Sequence, residues 1–99
     1  WAIDNAARLW TIADAKDGDV LALNNEVFIY AHRKRLYNIA IAHCFVDSAS
    51  GFYLDGEFLY TEKGNSIHPA TKEQRDILME AISNAGYLWD SRNKHLIKV

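Results

Sequence analysis

The sequence predicts an α+β domain. It reads as an antiparallel meander forming a bent sheet or small partly open barrel, covered by one helix in the C-terminal half and finished by a terminal hairpin. Three observations lead there. Short apolar runs recur between residues 20 and 60, broken by Asn24-Asn25, Asp47 to Gly51 and Asp55-Gly56. The one long stretch with helical periodicity comes after them, behind Pro69. The connections between the first strands are too short for the helical crossovers of a parallel sheet.

The elements follow in order. Ala2, Ala6, Leu9 and Trp10 form a loose helical face, so residues 1–10 read as an N-terminal helical extension ahead of a single domain over 11–99. Thr11 suits the cap of a short turn that Asp17-Gly18-Asp19 ends. Val20 to Leu23 and Val27 to Tyr30 are strands joined by a tight Asn24-Asn25 turn. His32 to Arg35 is a polar break, and Leu36 to Val46 is the longest strand. Phe52 to Leu54 and Glu57 to Tyr60 flank Asp55-Gly56, which predicts a hairpin with a type I′ turn. Thr61 to His68 is a loop. Thr71 with Gln74 three residues later is a capping box. Ile77, Leu78, Ala81, Ile82 and Ala85 then share a helix face, and Gly86 is suited to stop the helix. Tyr87 to Trp89 and Leu96 to Val99, on either side of a polar turn, make the final hairpin.

Composition narrows the function classes. Apolar residues make up 49% and charged residues 24% of the 99, values that belong to a globular chain and not to a disordered one. A net charge of -2 excludes a uniformly basic nucleic-acid binder but leaves room for a local basic patch. Cys44 is the sole cysteine, so no intrachain disulfide forms, which fits the cytoplasm. No apolar run approaches the ~20 residues of a membrane span, and no secretory leader is visible. The start at Trp1 suggests a domain cut from a longer chain.

Two blocks carry a resemblance. One is Thr11-Ile12-Ala13-Asp14-Ala15-Lys16-Asp17-Gly18-Asp19-Val20-Leu21. The other runs from His68-Pro69-Ala70-Thr71-Lys72-Glu73-Gln74-Arg75-Asp76 through Ala85-Gly86-Tyr87 and Trp89-Asp90 to Leu96-Ile97-Lys98-Val99. Together they resemble a family of small domains of unassigned function in proteins of gut bacteria and their phages. The resemblance implies a shared fold and a mobile-element setting, and it carries over no catalytic or binding residue.

Cys44 with His43 and Asp47 has the residue types of an activated thiolate, but adjacent strand residues point to opposite faces. A packed structural cysteine is favoured. His32, His43, His68 and His95 are separated by 11, 25 and 27 residues, spacings unlike those of a metal motif, and they read as scattered surface histidines. Asp14, Asp17, Asp19, Asp55 and Glu57 lack the remaining ligands of a calcium loop and read as turn and cap residues. No cofactor is implied.

Binding is the better reading. Arg33, Lys34 and Arg35 lie beside Tyr30 and Tyr37, and Arg92 and Lys94 sit in the terminal turn with His95 and Lys98 nearby. Cations neutralise phosphate and exposed aromatics stack on bases. A solvated turn whose charges discourage sheet-edge aggregation explains the same residues and is favoured. The aromatic hairpin Phe52, Tyr53, Phe58 and Tyr60 puts one set of rings in the core and leaves the other, Tyr53 included, either stacked across the strands, which is favoured, or facing a partner. The expectation is a non-enzymatic module that docks on a protein partner or a neighbouring domain of a longer chain, without membrane, and with weak self-association as a further outcome. The alternative is a binder of single-stranded nucleic acid.

Overall fold

The computed structural model describes residues 14–23, 25–34, 39–47, 51–59 and 67–99. The N-terminal helical extension, Thr11 as a cap and Tyr60 lie outside them. Five strands form one antiparallel sheet: β1 (Val20–Leu23), β2 (Glu26–Lys34), β3 (Ile39–Val46), β4 (Phe52–Leu59) and β5 (His68–Pro69). Their order is β4-β3-β2-β1-β5, and the described residues make no closed barrel. Helix α1 (Lys72–Asn84) follows, and then the hairpin β6 (Tyr87–Asp90) and β7 (His95–Lys98). The α+β class, the bent open sheet, the covering helix and the terminal hairpin are all present.

Local chemistry explains the boundaries. Leu23 pairs with Glu26, so β1 and β2 are neighbours joined by a short connection, of which Asn24 lies outside the described residues. Thr71 caps α1 in both directions. Its hydroxyl accepts the Gln74 N–H at 3.1 Å, and the Gln74 side chain accepts the Thr71 N–H at 2.9 Å. Gly86, with φ at +88°, turns the chain out of the helix and donates to Ser83. The Asp90 carboxylate accepts N–H groups from Arg92 and Asn93 and orders the turn between β6 and β7.

Three expectations are corrected. Asp55-Gly56 makes no hairpin: Phe52 to Leu59 runs as one strand along the whole of β3. A type I′ turn needs two successive residues at positive φ, and here only Asp55 (+56°) adopts it. His32, Arg33 and Lys34 form no polar break but continue β2, paired with Ile41, Ala40 and Ile39. His68 leaves the expected loop to pair with Ala22, so the fifth strand is β5 on the opposite edge.

The sheet buries both faces. On one, Leu78 and Ile82 of α1 pack on Ala22, Val27, Ile29, Cys44 and Val46, and Tyr87, Trp89 and Leu96 of the hairpin extend the cover. The other face carries Leu21, Phe28, Tyr30, Ala40, Ala42 and Phe58 with Ile67. Alternation along β1 keeps the two sets apart, Ala22 on one side and Leu21 on the other.

A line of irregularities crosses the strands. Ile29 pairs with Cys44 and Tyr30 with Ala42, so His43 is an extra residue in β3. His32 then pairs with Ile41, so Ala31 is extra in β2. In β4, Asp55 drops out of the pairing between Leu54 and Gly56. Bulges bend a strand and raise its twist, and here they fall side by side. The bend lets Phe28, on one side of the line, stack on Phe58, on the other, with ring centroids 4.3 Å apart. Phe45 meets Phe58 edge-on at 5.1 Å and stacks on Tyr53 at 4.9 Å.

Gly56 sits beneath this aromatic group. A Cβ added there would lie 2.7 Å from a ring carbon of Phe45 and 3.1 Å from one of Phe58. Gly56→Ala is therefore expected to destabilise the fold by about 1–3 kcal/mol through overpacking, read from the midpoint of urea unfolding. Thr71→Ala removes the helix cap and is expected to cost about 1 kcal/mol in the same measurement.

Candidate functional site

The basic and aromatic residues singled out from the sequence separate in the structure. Tyr30 is 5% exposed and belongs to the core, so it presents no face for stacking. Tyr53 is half in solvent but engaged: its ring lies on Phe45 and its hydroxyl donates to Asp47. That hydrogen bond, together with the Asp47 charge, raises the phenol above its usual range. Arg33 is half-buried. Lys34 is exposed and faces Glu57 at 3.9 Å, a surface pair that contributes little. Arg92 and Lys94 project from the hairpin turn, with the Lys94 side chain lying over Gly18. Arg35 and Tyr37 lie outside the described residues.

The expected grouping around His43 is rearranged. Asp47 is occupied with the Gly51 N–H at 2.8 Å and the Tyr53 hydroxyl, and the carboxylate that meets His43 is Asp17, at 2.7 Å from Nε2. The bulge also breaks strand alternation. His43 rests its ring on Trp89 at 5.0 Å, so it and Cys44 lie on the same side of the sheet. Cys44 is nonetheless fully enclosed, and burial pushes its thiol up to about 12. A thiolate at neutral pH is disfavoured there, and the side chain acts as a small apolar residue between β3 and α1. Among the described residues, no three His, Cys, Asp or Glu side chains are grouped to hold a metal ion. No described helix is long and apolar enough to cross a membrane.

A different feature stands out on the surface. Between α1 and the sheet edge at β4 runs a groove of ≈ 520 Å³ lined by Val46, Phe52, Ile77, Glu80, Ala81 and Asn84 among others. Glu80 and Ala81 lie three and four residues after Ile77, and Asn84 lies four and three after them, so one stripe of α1 forms its wall. Ile77 is 53% exposed, and Leu54, next along β4 on the same face as Phe52, is 48% exposed. From the sequence Ile77 reads as a core residue, because it shares the apolar side of the helix with Leu78. In the structure the core takes Leu78 and Ile82 and leaves Ile77 on the flank. The adjacent pair Ile77-Leu78 is the signal, since neighbours lie about 100° apart around a helix and a narrow contact stripe cannot hold both. The Asp17–His43 contact spans 26 residues and left no local trace.

Comparison with known proteins returned no matching protein-family model, no matching curated sequence and no matching solved structure.

The raised thiol has a consequence for stability. The folded-state value lies above the ordinary value of 9.0, so the native state holds its proton more tightly than the unfolded state does. The contribution is complete below pH 9 and is lost as pH rises towards about 12. Chemical denaturation across that range should show a steeper fall for the wild type than for Cys44→Ala, in which the lysine and tyrosine titrations are retained.

Proposed function

We propose that this domain acts by docking on a protein partner, a separate chain or a neighbouring domain of its own, and that the α1–β4 groove is the docking surface. The observation that carries the reading is the exposed apolar set Ile77 and Leu54 beside half-buried Phe52, arranged around a concave groove and not scattered singly. Burying a side chain of this size contributes about 1.5–3 kcal/mol, so a few such contacts at the centre of an interface supply much of a useful affinity. The charges at Lys34, Arg92 and Lys94 then serve as solvated surface, and the setting within a bacterial or phage protein is compatible with such a module.

Selection of binders from a displayed random-peptide library, followed by amide-shift mapping, tests this. The expected shifts fall on Phe52, Leu54, Ile77 and Ala81 and persist at high salt. Ile77→Arg should weaken binding by about tenfold or more while changing Tm little, because the residue is half in solvent. Selected peptides that bind Ile77→Arg unchanged would remove the groove from the reading. Salt-sensitive shifts confined to Lys34 and Arg92 to Lys98 on adding a single-stranded oligonucleotide would replace it with nucleic-acid binding.

A further inference from the structure

We propose that the occupant of the groove is an extended partner segment, carrying apolar side chains flanked by basic ones on a single face, that adds to the sheet as a strand along the outer edge of β4. This rests on the docking reading above and states the partner's form and chemistry.

The backbone phase of β4 supports a strand. The Asp47 N–H donates to the Gly51 C=O at 3.1 Å while the Gly51 N–H goes to the Asp47 carboxylate, so one main-chain bond just beyond the last ladder pair, Val46 with Phe52, sets the hydrogen-bonding phase. Pairing type alternates along the ladder. Phe45 with Tyr53 is therefore a hydrogen-bonded pair, whereas Val46 with Phe52 and Cys44 with Leu54 are not. Phe52 and Leu54 thus turn their N–H and C=O groups away from β3. β4 is the last strand on its side of the sheet, so these groups have no strand partner among the described residues. The same two residues put their side chains on the groove face. One short stretch therefore offers both halves of strand addition, free main-chain groups and a side-chain recess. Asp55 ends the stretch, because its left-handed backbone breaks the ladder immediately after Leu54. A helical guest would cover Ile77 and Phe52 but leave the outward groups without partners as it excluded water from them, which is costly.

Charge selects the chemistry of the guest. Glu80 lines the groove, Glu73 lies two turns earlier on the same side of α1, and Asp55 stands where the edge ends. None of the three has an ion-pair partner among the described residues; the pairs present are Lys34–Glu57, His43–Asp17 and Lys72–Asp76. Every second residue of a paired strand faces the groove, so apolar side chains of the guest enter the recess, and lysine or arginine at the groove-facing positions on either side of them answers these carboxylates. A second copy of this chain would bring its own acids to the same place, which argues against self-pairing.

The probe is a synthetic peptide, acetyl-Lys-Thr-Val-Thr-Ile-Thr-Lys-amide, whose lysines, valine and isoleucine share one strand face, titrated into the ¹⁵N-labelled domain. Shifts are expected at Phe52, Leu54, Ile77 and Ala81, with slowed hydrogen exchange at the Phe52 and Leu54 amides. Two further peptides carry N-methyl groups on the odd or on the even amides. Only alternate amides of a bound strand face the edge, so one methylated peptide should lose affinity by about tenfold or more while the other keeps it. Replacing the lysines with glutamate should weaken binding by a similar factor at low salt. Groove shifts with both methylated peptides equally affected and no exchange protection would overturn strand addition and leave docking through the groove intact. Equal binding of the glutamate peptide would overturn the charge assignment. Protection of Phe52 and Leu54 without peptide, accompanied by a doubled mass, would make a second copy the occupant. No shift at millimolar peptide would overturn the strand proposal, and docking would then be judged by the library selection alone.

Discussion

The stack of Phe28 on Phe58 is the contact on which the rest of the architecture depends. The two rings belong to strands that are not neighbours, since β3 lies between them. In a flat sheet two strand spacings alone would hold them roughly 10 Å apart. They meet because β2, β3 and β4 each carry an extra residue at the same level, Ala31, His43 and Asp55, and the sheet bends there. Ala40 and Ala42 of β3 lie on the inside of the bend, and their small side chains leave room for the rings. Gly56 gives Phe45 the same clearance from the next strand.

The bend also organises the other face. Its outer side carries Val27, Ile29, Cys44 and Val46, which α1 and the terminal hairpin cover. The helix seats two buried residues, Leu78 and Ile82, against this surface, while Ile77 remains on its flank facing the sheet edge. The groove between α1 and β4 therefore follows from packing geometry. A straight helix meets a curved sheet along a limited line, and the sheet margin beyond that line stays open.

Much of the fold was legible because it rests on local signals. The Thr71–Gln74 cap, the Gly86 stop and the β6–β7 hairpin are each set by residues close in sequence, and each formed as the residue chemistry predicts. What was misread depends on contacts distant in sequence. Asp55-Gly56 has the composition of a hairpin turn, yet the ladder offered by β3 draws the chain straight through, and the positive φ of Asp55 goes into a bulge. Arg33 and Lys34 look like a loop until β3 is there to pair with them. The candidate site was less legible still. Tyr30 looks like a stacking residue but is buried beside Phe28, and the partner of His43 is Asp17, not the nearby Asp47. Tyr53 reads as aromatic surface, but the sequence does not show that a helix stripe with Ile77 and Glu80 comes to lie beside Phe52, on the other face of the same strand.

The line of bulges shows how shape and hydrophobic pattern are written separately in this chain. Beyond His43, Ala42 and Ala40 point to the inside of the bend and Ile41 to the other face. On the near side, Phe45 points inside and Cys44 outside. With His43 left out of the count, the order Phe45, Cys44, Ala42, Ile41 is regular alternation. The same holds for Leu54 and Gly56 around Asp55, and for Tyr30 and His32 around Ala31. The three extra residues therefore leave the division between inward and outward side chains untouched and add only curvature. Curvature and core pattern are thus carried by different residues, and the sheet's shape is set at three positions that contribute nothing to the order of its inward and outward side chains.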